Sequence, residues 1–291
     1  MKNSKFIKIF TCIGLTVLIA GIVALAILPQ KTPEEVLTVY SDGEHYAQTT
    51  YYRTEESYVA ATGNQLESPA NFVMAVEKKV WIIQTEDPSG ETLSHPMKEE
   101  ELTSLRATYL SDQTRESIQT DELYSLTLSL VLTEQDGVYY PVGTANWSKD
   151  TFGYVRGAEP YDDDCISLCW GGNRTMQASD NQFTAVDFKG NLIHGSRCVS
   201  DCYGGYIWQF RERDSIKKST IAKEIKVQAA IEKGFGEPYG KTASIKLVYL
   251  HTYGKTQTHA RLKFEEDEAF VVRSTEKNNW MVELEIDGIN Y

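Results

Sequence analysis

From Ser125 to Thr133 apolar and polar residues nearly alternate, with Leu126, Leu128, Leu130 and Leu132 set against Ser125, Thr127, Ser129 and Thr133. A period of two is the mark of a strand with one buried face. Glu134-Gln135-Asp136-Gly137 follows as a turn, because an Asp-Gly pair tolerates positive φ, and Val138–Trp147 reads as the returning strand. Pro141 predicts that this partner is an edge strand or is bulged. The C-terminal part continues in the same way and predicts five strands. They are carried by Ile225, Val227, Ala229 and Ile231; by Ile245, Leu247, Tyr249 and His251; by Thr258, Ala260, Leu262 and Phe264; by Phe270–Val272; and by Trp280, Val282, Leu284 and Ile286.

The first half is less regular. Phe72–Val76 and Val80–Ile83 are rich in β-branched and aromatic residues and predict two short strands, with a Gly63-Asn64 turn before them. Residues 85–100 read as a polar loop, and residues 98–110 as a short helix with Leu102, Leu105 and Leu110 turned inward. No run from 31 to 291 is long and periodic enough to demand a layer of helices. The expected fold is therefore mainly β, an antiparallel β-sandwich or barrel-like ectodomain, with two stacked β domains split near residue 116 as the alternative. The expected division is a stalk and N-terminal mainly β region at 31–115 and a disulfide-stapled β domain at 116–291.

The N-terminus changes the picture of where this fold sits. Lys2, Lys5 and Lys8 precede an uncharged run from Ile9 to Leu28 that ends at Pro29. Twenty residues at 1.5 Å each span about 30 Å, the thickness of a bilayer's hydrocarbon core. A cleaved signal peptide has a shorter apolar region, about 7 to 15 residues, and closes on small residues, which Ile27-Leu28-Pro29-Gln30 does not. Residues 1–30 are thus expected to be a cytoplasmic stub and a transmembrane signal anchor. The lysines before the span put the N-terminus inside and residues 31–291 outside the cell membrane, as a single-pass, extracytoplasmic protein. That exported part carries 26 basic against 41 acidic side chains, a net charge of −15. A surface of that sign repels nucleic acid and suits calcium or a cationic partner.

The most conspicuous motif is stated twice. Cys165-Ile-Ser-Leu-Cys169-Trp-Gly-Gly returns 33 positions later as Cys198-Val-Ser-Asp-Cys202-Tyr-Gly-Gly. Outside the cytoplasm such cysteines are expected to form disulfides; a Cys₄ zinc site is the rival for the same residues. If each copy is a strand, its two cysteines lie roughly 13 Å apart, too far for a bond that needs Cα atoms within about 7 Å. The bonds then join the copies, as Cys165–Cys198 with Cys169–Cys202 or as Cys165–Cys202 with Cys169–Cys198. Local bonds within each copy require helical turns instead. A staple closing a loop of about thirty residues stabilises by roughly 3 to 4 kcal/mol. Gly171-Gly172 and Gly204-Gly205 allow a tight turn or the close approach of another backbone, and Trp170 and Tyr203 are placed to cover the sulfurs.

Chemistry is sparse. Asp162, Asp163 and Asp164 are the densest acidic cluster and the candidate calcium ligands, with Asp180, Asn181 and Asp187 as partners if the intervening hairpin folds back. His251 and His259 flank the Gly254-Lys255 turn, but the alternation puts His251 on the buried face with Leu247 and His259 on the other. His251 is therefore expected in the core, bonded to backbone. No Gly-x-Ser-x-Gly elbow and no His-Glu-x-x-His is present, so no catalytic residue is named. The 17 tyrosines and 5 tryptophans can line a binding surface or fill strands. Together these features favour a binding, envelope or assembly module without catalysis, its partner an unidentified protein or glycan. An exported, calcium-assisted hydrolase and a structural subunit of a membrane complex are the alternatives.

Overall fold

The Leu126–Leu132 alternation becomes strand β5 (Tyr124–Gln135), paired with β6 (Val138–Trp147) as a hairpin. Asp136 and Gly137, at φ 54° and 82°, form its two-residue turn, both in the left-handed region that a type I′ turn requires. The four leucines are wholly buried on one face. These coordinates come from a computed structural model, which describes residues 36–40, 45–65, 71–86, 92–98, 100–101, 124–148, 163–170, 176–193, 197–201, 204–211, 222–233, 243–252, 261–265, 268–273 and 279–289. The predicted membrane span lies outside them. Among the described residues no helix is long and apolar enough to cross a membrane.

Around that hairpin an antiparallel sheet assembles. It contains β1 (Val36–Tyr40), β2 (Ala47–Tyr52), β3 (Asn71–Glu86), β8 (Met176–Asp187) and β11 (Ala222–Lys233), in the order β1-β2-β3-β5-β6-β11-β8, and β4 (Thr92–Pro96) continues beside β3. A second sheet runs β15-β12-β7-β10-β9, from β15 (Asn279–Ile289), β12 (Ala243–Thr252), β7 (Asp163–Cys169), β10 (Gly205–Arg211) and β9 (Arg197–Asp201). A ribbon of β13 (Arg261–Glu265) and β14 (Glu268–Arg273) places β14 beside β12 and β7.

The two main sheets share one core. Val76, Leu128 and Ile225 from the first sheet join Ile166, Leu247 and Val282 from the second in a single buried cluster. Each such side chain, fully buried, stabilises by about 1.5–3 kcal/mol. The sheets approach closely at Gly143, where an added Cβ would stand 2.5 Å from Leu247 Cδ1. The expected mainly β, sandwich-like architecture is thus present.

Several local expectations need correcting. Pro141 is neither on an edge nor bulged, since β6 lies between β5 and β11. Its ladder to β11 is interrupted between Val142 and Tyr139 and resumes in the same register. The two strands expected at Phe72–Val76 and Val80–Ile83 are one, β3. It carries Lys78 through the core face, with Nζ 3.4 Å from the Glu283 carbonyl oxygen on β15. Because β3 pairs with β5, strands from either side of residue 116 share a sheet, and residues 36–291 form one compact unit.

A helix the periodicity did not demand, α1 (Glu55–Thr62), packs Tyr58 against Tyr52, Ala75 and Val131 on the outer face of the large sheet. Thr54 caps it by accepting from Ser57 N at 3.2 Å, and Gly63 ends it at φ 72°. Of the helix expected at 98–110, only Lys98 and the helical residues Glu100 and Glu101 are described.

Candidate functional site

The doubled cysteine motif does fold as two strands, but β10 lies between them. Gly205 pairs with Cys169 on one side and Asp201 on the other, and Trp208 pairs with both Ile166 and Cys198. Cys198 is therefore level with Ile166, one register position from Cys165 and three from Cys169, and two strands from β7. Two strand spacings amount to about 10 Å, beyond the roughly 7 Å a disulfide allows between Cα atoms.

Cys165 and Cys169 are both buried, and this register leaves neither within disulfide reach of Cys198 across β10. The side chains of Cys198 and Cys202 lie outside the described residues. Burial pushes the Cys169 thiol up to about 12. Gly205 is where the copies meet. A Cβ there would stand 2.7 Å from the Leu168 carbonyl oxygen, so glycine permits the close backbone approach. Trp170 turns into the core and meets Tyr206 edge-to-face at 5.4 Å.

Asp163 and Asp164 are successive residues of β7. Asp164 faces the core and is wholly buried. Its Oδ2 accepts from Tyr249 Oη at 2.6 Å and lies 3.0 Å from His251 Nδ1, and its Oδ1 accepts from Thr252 N at 3.0 Å and Thr252 Oγ1 at 3.4 Å. Trp147 Nε1 donates to Tyr249 Oη at 3.3 Å, and Trp147 and Trp280 flank the imidazole.

His251 is thus in the core as its alternation predicted, and its Nδ1 meets the Asp164 carboxyl group. Asp162 and His259 lie outside the described residues. Asp187 is engaged elsewhere, accepting from Lys189 N, Asn191 N and Asn191 Nδ2 to build the Lys189–Asn191 turn. Burial raises its pKa and these hydrogen bonds outweigh that, so its carboxyl sits below the usual range. Among the described residues no three His, Cys, Asp or Glu side chains converge as metal ligands.

What does converge is mostly polar. The outer face of the large sheet holds a groove of about 570 Å³, within the 300–1,000 Å³ typical of small-ligand sites. Its floor follows from the same alternation that fills the core. Ser129, Val131 and Thr133 of β5 pair with Thr144, Val142 and Tyr140 of β6, and Asn146, Thr144 and Val142 pair in turn with Glu224, Lys226 and Gln228 of β11.

One wall is Tyr58 of α1 with Asn64 and Gln65 just past its cap. The other is Asp180, Asn181 and Gln182 of β8, beside a bulge at Ser179 that bends this edge strand. Six of the lining side chains are amides and five carry hydroxyls, so donors and acceptors dominate the surface. Ser129 Oγ on the floor is buried and has no hydrogen-bond partner.

The sequence marks these residues only as the polar half of three alternations. What makes them a site is which strands are neighbours, and β5, β6, β11 and β8 come together from distant segments. Asp180 and Asn181, named as calcium partners, line this groove.

No protein-family model and no curated protein matches the sequence. Solved structures similar to it include a Streptococcus parasanguinis structure described for pH-induced modulation of adhesion by Fap1 fimbriae, at 10% identity over 56% of this chain and 80% of that one, with a TM-score of 0.31. Another is the C-terminal domain of the Streptococcus agalactiae AgI/II polypeptide BspA, at 7% identity, 73% and 94% coverage and a TM-score of 0.26. A third is Clostridium perfringens delta-toxin, at 6% identity, 88% and 95% coverage and a TM-score of 0.25. Scores this low carry no residue role, ligand or activity across to this chain.

Proposed function

We propose that the protein is a membrane-anchored, extracytoplasmic binding module that holds a protein or glycan partner in the groove over β5, β6 and β11. The observation that carries this reading is the groove itself: a concavity of ligand size, lined by convergent donors and acceptors, on a face the core does not use. An unpartnered buried hydroxyl costs about 1–3 kcal/mol, and a ligand reaching Ser129 Oγ would recover part of that. The charge-free run Ile9–Leu28 supports display from a membrane, with the acidic domain outside.

The test uses the full-length chain purified in detergent, screened against immobilised peptide and oligosaccharide panels beside a groove-filling Thr144→Trp variant. At least one probe is expected to be retained by the parent and released by the variant, with unchanged melting. A screen in which no probe distinguishes the two proteins overturns the proposal. For the anchor, alkaline extraction of membranes is expected to leave the chain in the pellet, and its release into the supernatant would remove that part of the reading.

A further inference from the structure

We infer that the ligand of the groove is an uncharged, hydroxyl-rich oligosaccharide, an inference that rests on the binding reading above and narrows it. Three features of the lining point the same way.

The first is the kind of polar group. An Asn or Gln amide offers two N–H donors and a carbonyl acceptor in one plane, and each sugar hydroxyl is both donor and acceptor, so neighbouring hydroxyls are matched pairwise without any charge. Amides stand on the floor at Asn146 and Gln228 and on the walls at Asn64, Gln65, Asn181 and Gln182, so the matching groups extend across the groove.

The second is charge. Glu224 and Lys226 lie two residues apart on the same face of β11, Lys226 already has an interaction of its own, and Asp180 adds a further negative group. The lining is therefore net acidic on a chain of formal charge −12, which repels phosphates, sulfates and acidic peptides.

The third is the scarcity of apolar anchors. Protein partners are gripped by aromatic or large aliphatic side chains entering desolvated pockets. Here the apolar floor is Val131 paired with Val142, beside the small side chain of Ala230. That strip suits the C–H face of a sugar ring, and the half-buried ring of Tyr140 extends it. Ser129 Oγ, buried and unpartnered beneath, is left for a ligand hydroxyl.

The test is a printed array of neutral oligosaccharides built from hexoses, N-acetylhexosamines and deoxyhexoses, with sialylated and sulfated glycans and a peptide panel as comparators. It is probed with the full-length chain in detergent. The strongest neutral binder is then titrated calorimetrically. Binding is expected to neutral members, with affinity unchanged within twofold between 50 and 500 mM salt, since no ion pair is screened. Gln228→Ala and Asn146→Ala are each expected to weaken it tenfold or more at unchanged melting temperature.

Binding only to anionic glycans, or an affinity that collapses with salt, overturns the inference. So does a peptide that binds and is lost in Gln228→Ala while no neutral glycan binds, and that outcome leaves the binding module standing. If no probe of any class separates the parent from Thr144→Trp, both readings fall.

Discussion

Replacing Asp164 with Ala is the sharpest probe of the buried polar cluster that β7 and β12 build inside the core. The carboxylate is wholly buried and accepts from Tyr249 Oη at 2.6 Å, from Thr252 N at 3.0 Å and from Thr252 Oγ1 at 3.4 Å, with His251 Nδ1 at 3.0 Å. Truncation deprives donors on β12 of their shared acceptor inside the core. Leaving a buried donor without its acceptor costs about 1–3 kcal/mol, so removing the acceptor of both Tyr249 Oη and Thr252 N is worth about 2–6 kcal/mol. For a domain of this size each kcal/mol moves the melting temperature by about 2–4 °C. The expected fall is therefore about 4–24 °C.

Asp164→Asn keeps the shape, but it turns an N–H₂ group toward partners that are themselves donors, so it is expected to recover only part of the loss. Near-UV circular dichroism of the full-length chain is a suitable assay, because Trp147 and Trp280 pack against the imidazole and report on this end of the core. Pairing the change with Tyr249→Phe completes a double-mutant cycle, and the combined loss is expected to be well short of the sum of the singles. A fall below 3 °C, or strictly additive losses, would refute the idea that Asp164 organises the cluster.

Two further outcomes follow from groups that burial perturbs. With its thiol pushed up to about 12 by burial, Cys169 is expected to resist iodoacetamide at pH 8.5 in the folded protein and to alkylate fully in 6 M guanidinium without reductant; recovery of Cys169 in a disulfide-linked peptide would contradict this. Burial also raises the Glu77 carboxyl, an effect that outweighs the hydrogen bond from Tyr52 Oη at 3.0 Å. An acid whose folded pKa lies above its unfolded value favours folding at low pH, and that contribution fades as pH rises through the folded value. Glu77→Gln is therefore expected to melt higher than the parent at pH 8, with the gap closing toward pH 4; a gap that stays constant or widens on acidification would show that the sign is wrong.

How much of this was legible in the chain depends on how local the determining contacts are. The β5–β6 hairpin could be read because Leu126–Leu132 and the Asp136-Gly137 turn lie within a few residues of one another. His251 could be placed on a buried face because the alternation from Ile245 is local, but its partner Asp164 is 87 residues away and no pattern joins them. The placement of the cysteine copies was hidden for a related reason: the motif predicts a strand for each copy, but not that β10, paired with β9 on one side, takes the place beside β7 on the other. The α1 helix had its signals in Thr54, Glu55, Glu56 and Gly63, but eight residues are too few for a helical period to stand out. The groove was the least legible element, because it exists only once β6, β11 and β8 are neighbours.

The groove and the core are nonetheless two products of one rule. In β5, β6 and β11 every second residue is committed to the sandwich interior: Leu128 and Leu130, Gly143 and Ala145, Ile225 and Val227 are buried there, and Gly143 has no room for a further carbon. The residues between them, Thr144, Asn146, Lys226 and Gln228, carry no packing duty toward the second sheet. Substitutions at such outer positions normally change stability by no more than about 0.5 kcal/mol, whereas changes in the core or in a buried polar network cost several times that. Chemistry on the outer face is therefore free to vary while the fold stays fixed. Loss of binding in Gln228→Ala at constant melting temperature, set against loss of melting temperature in Asp164→Ala, would separate the two faces of the same strands.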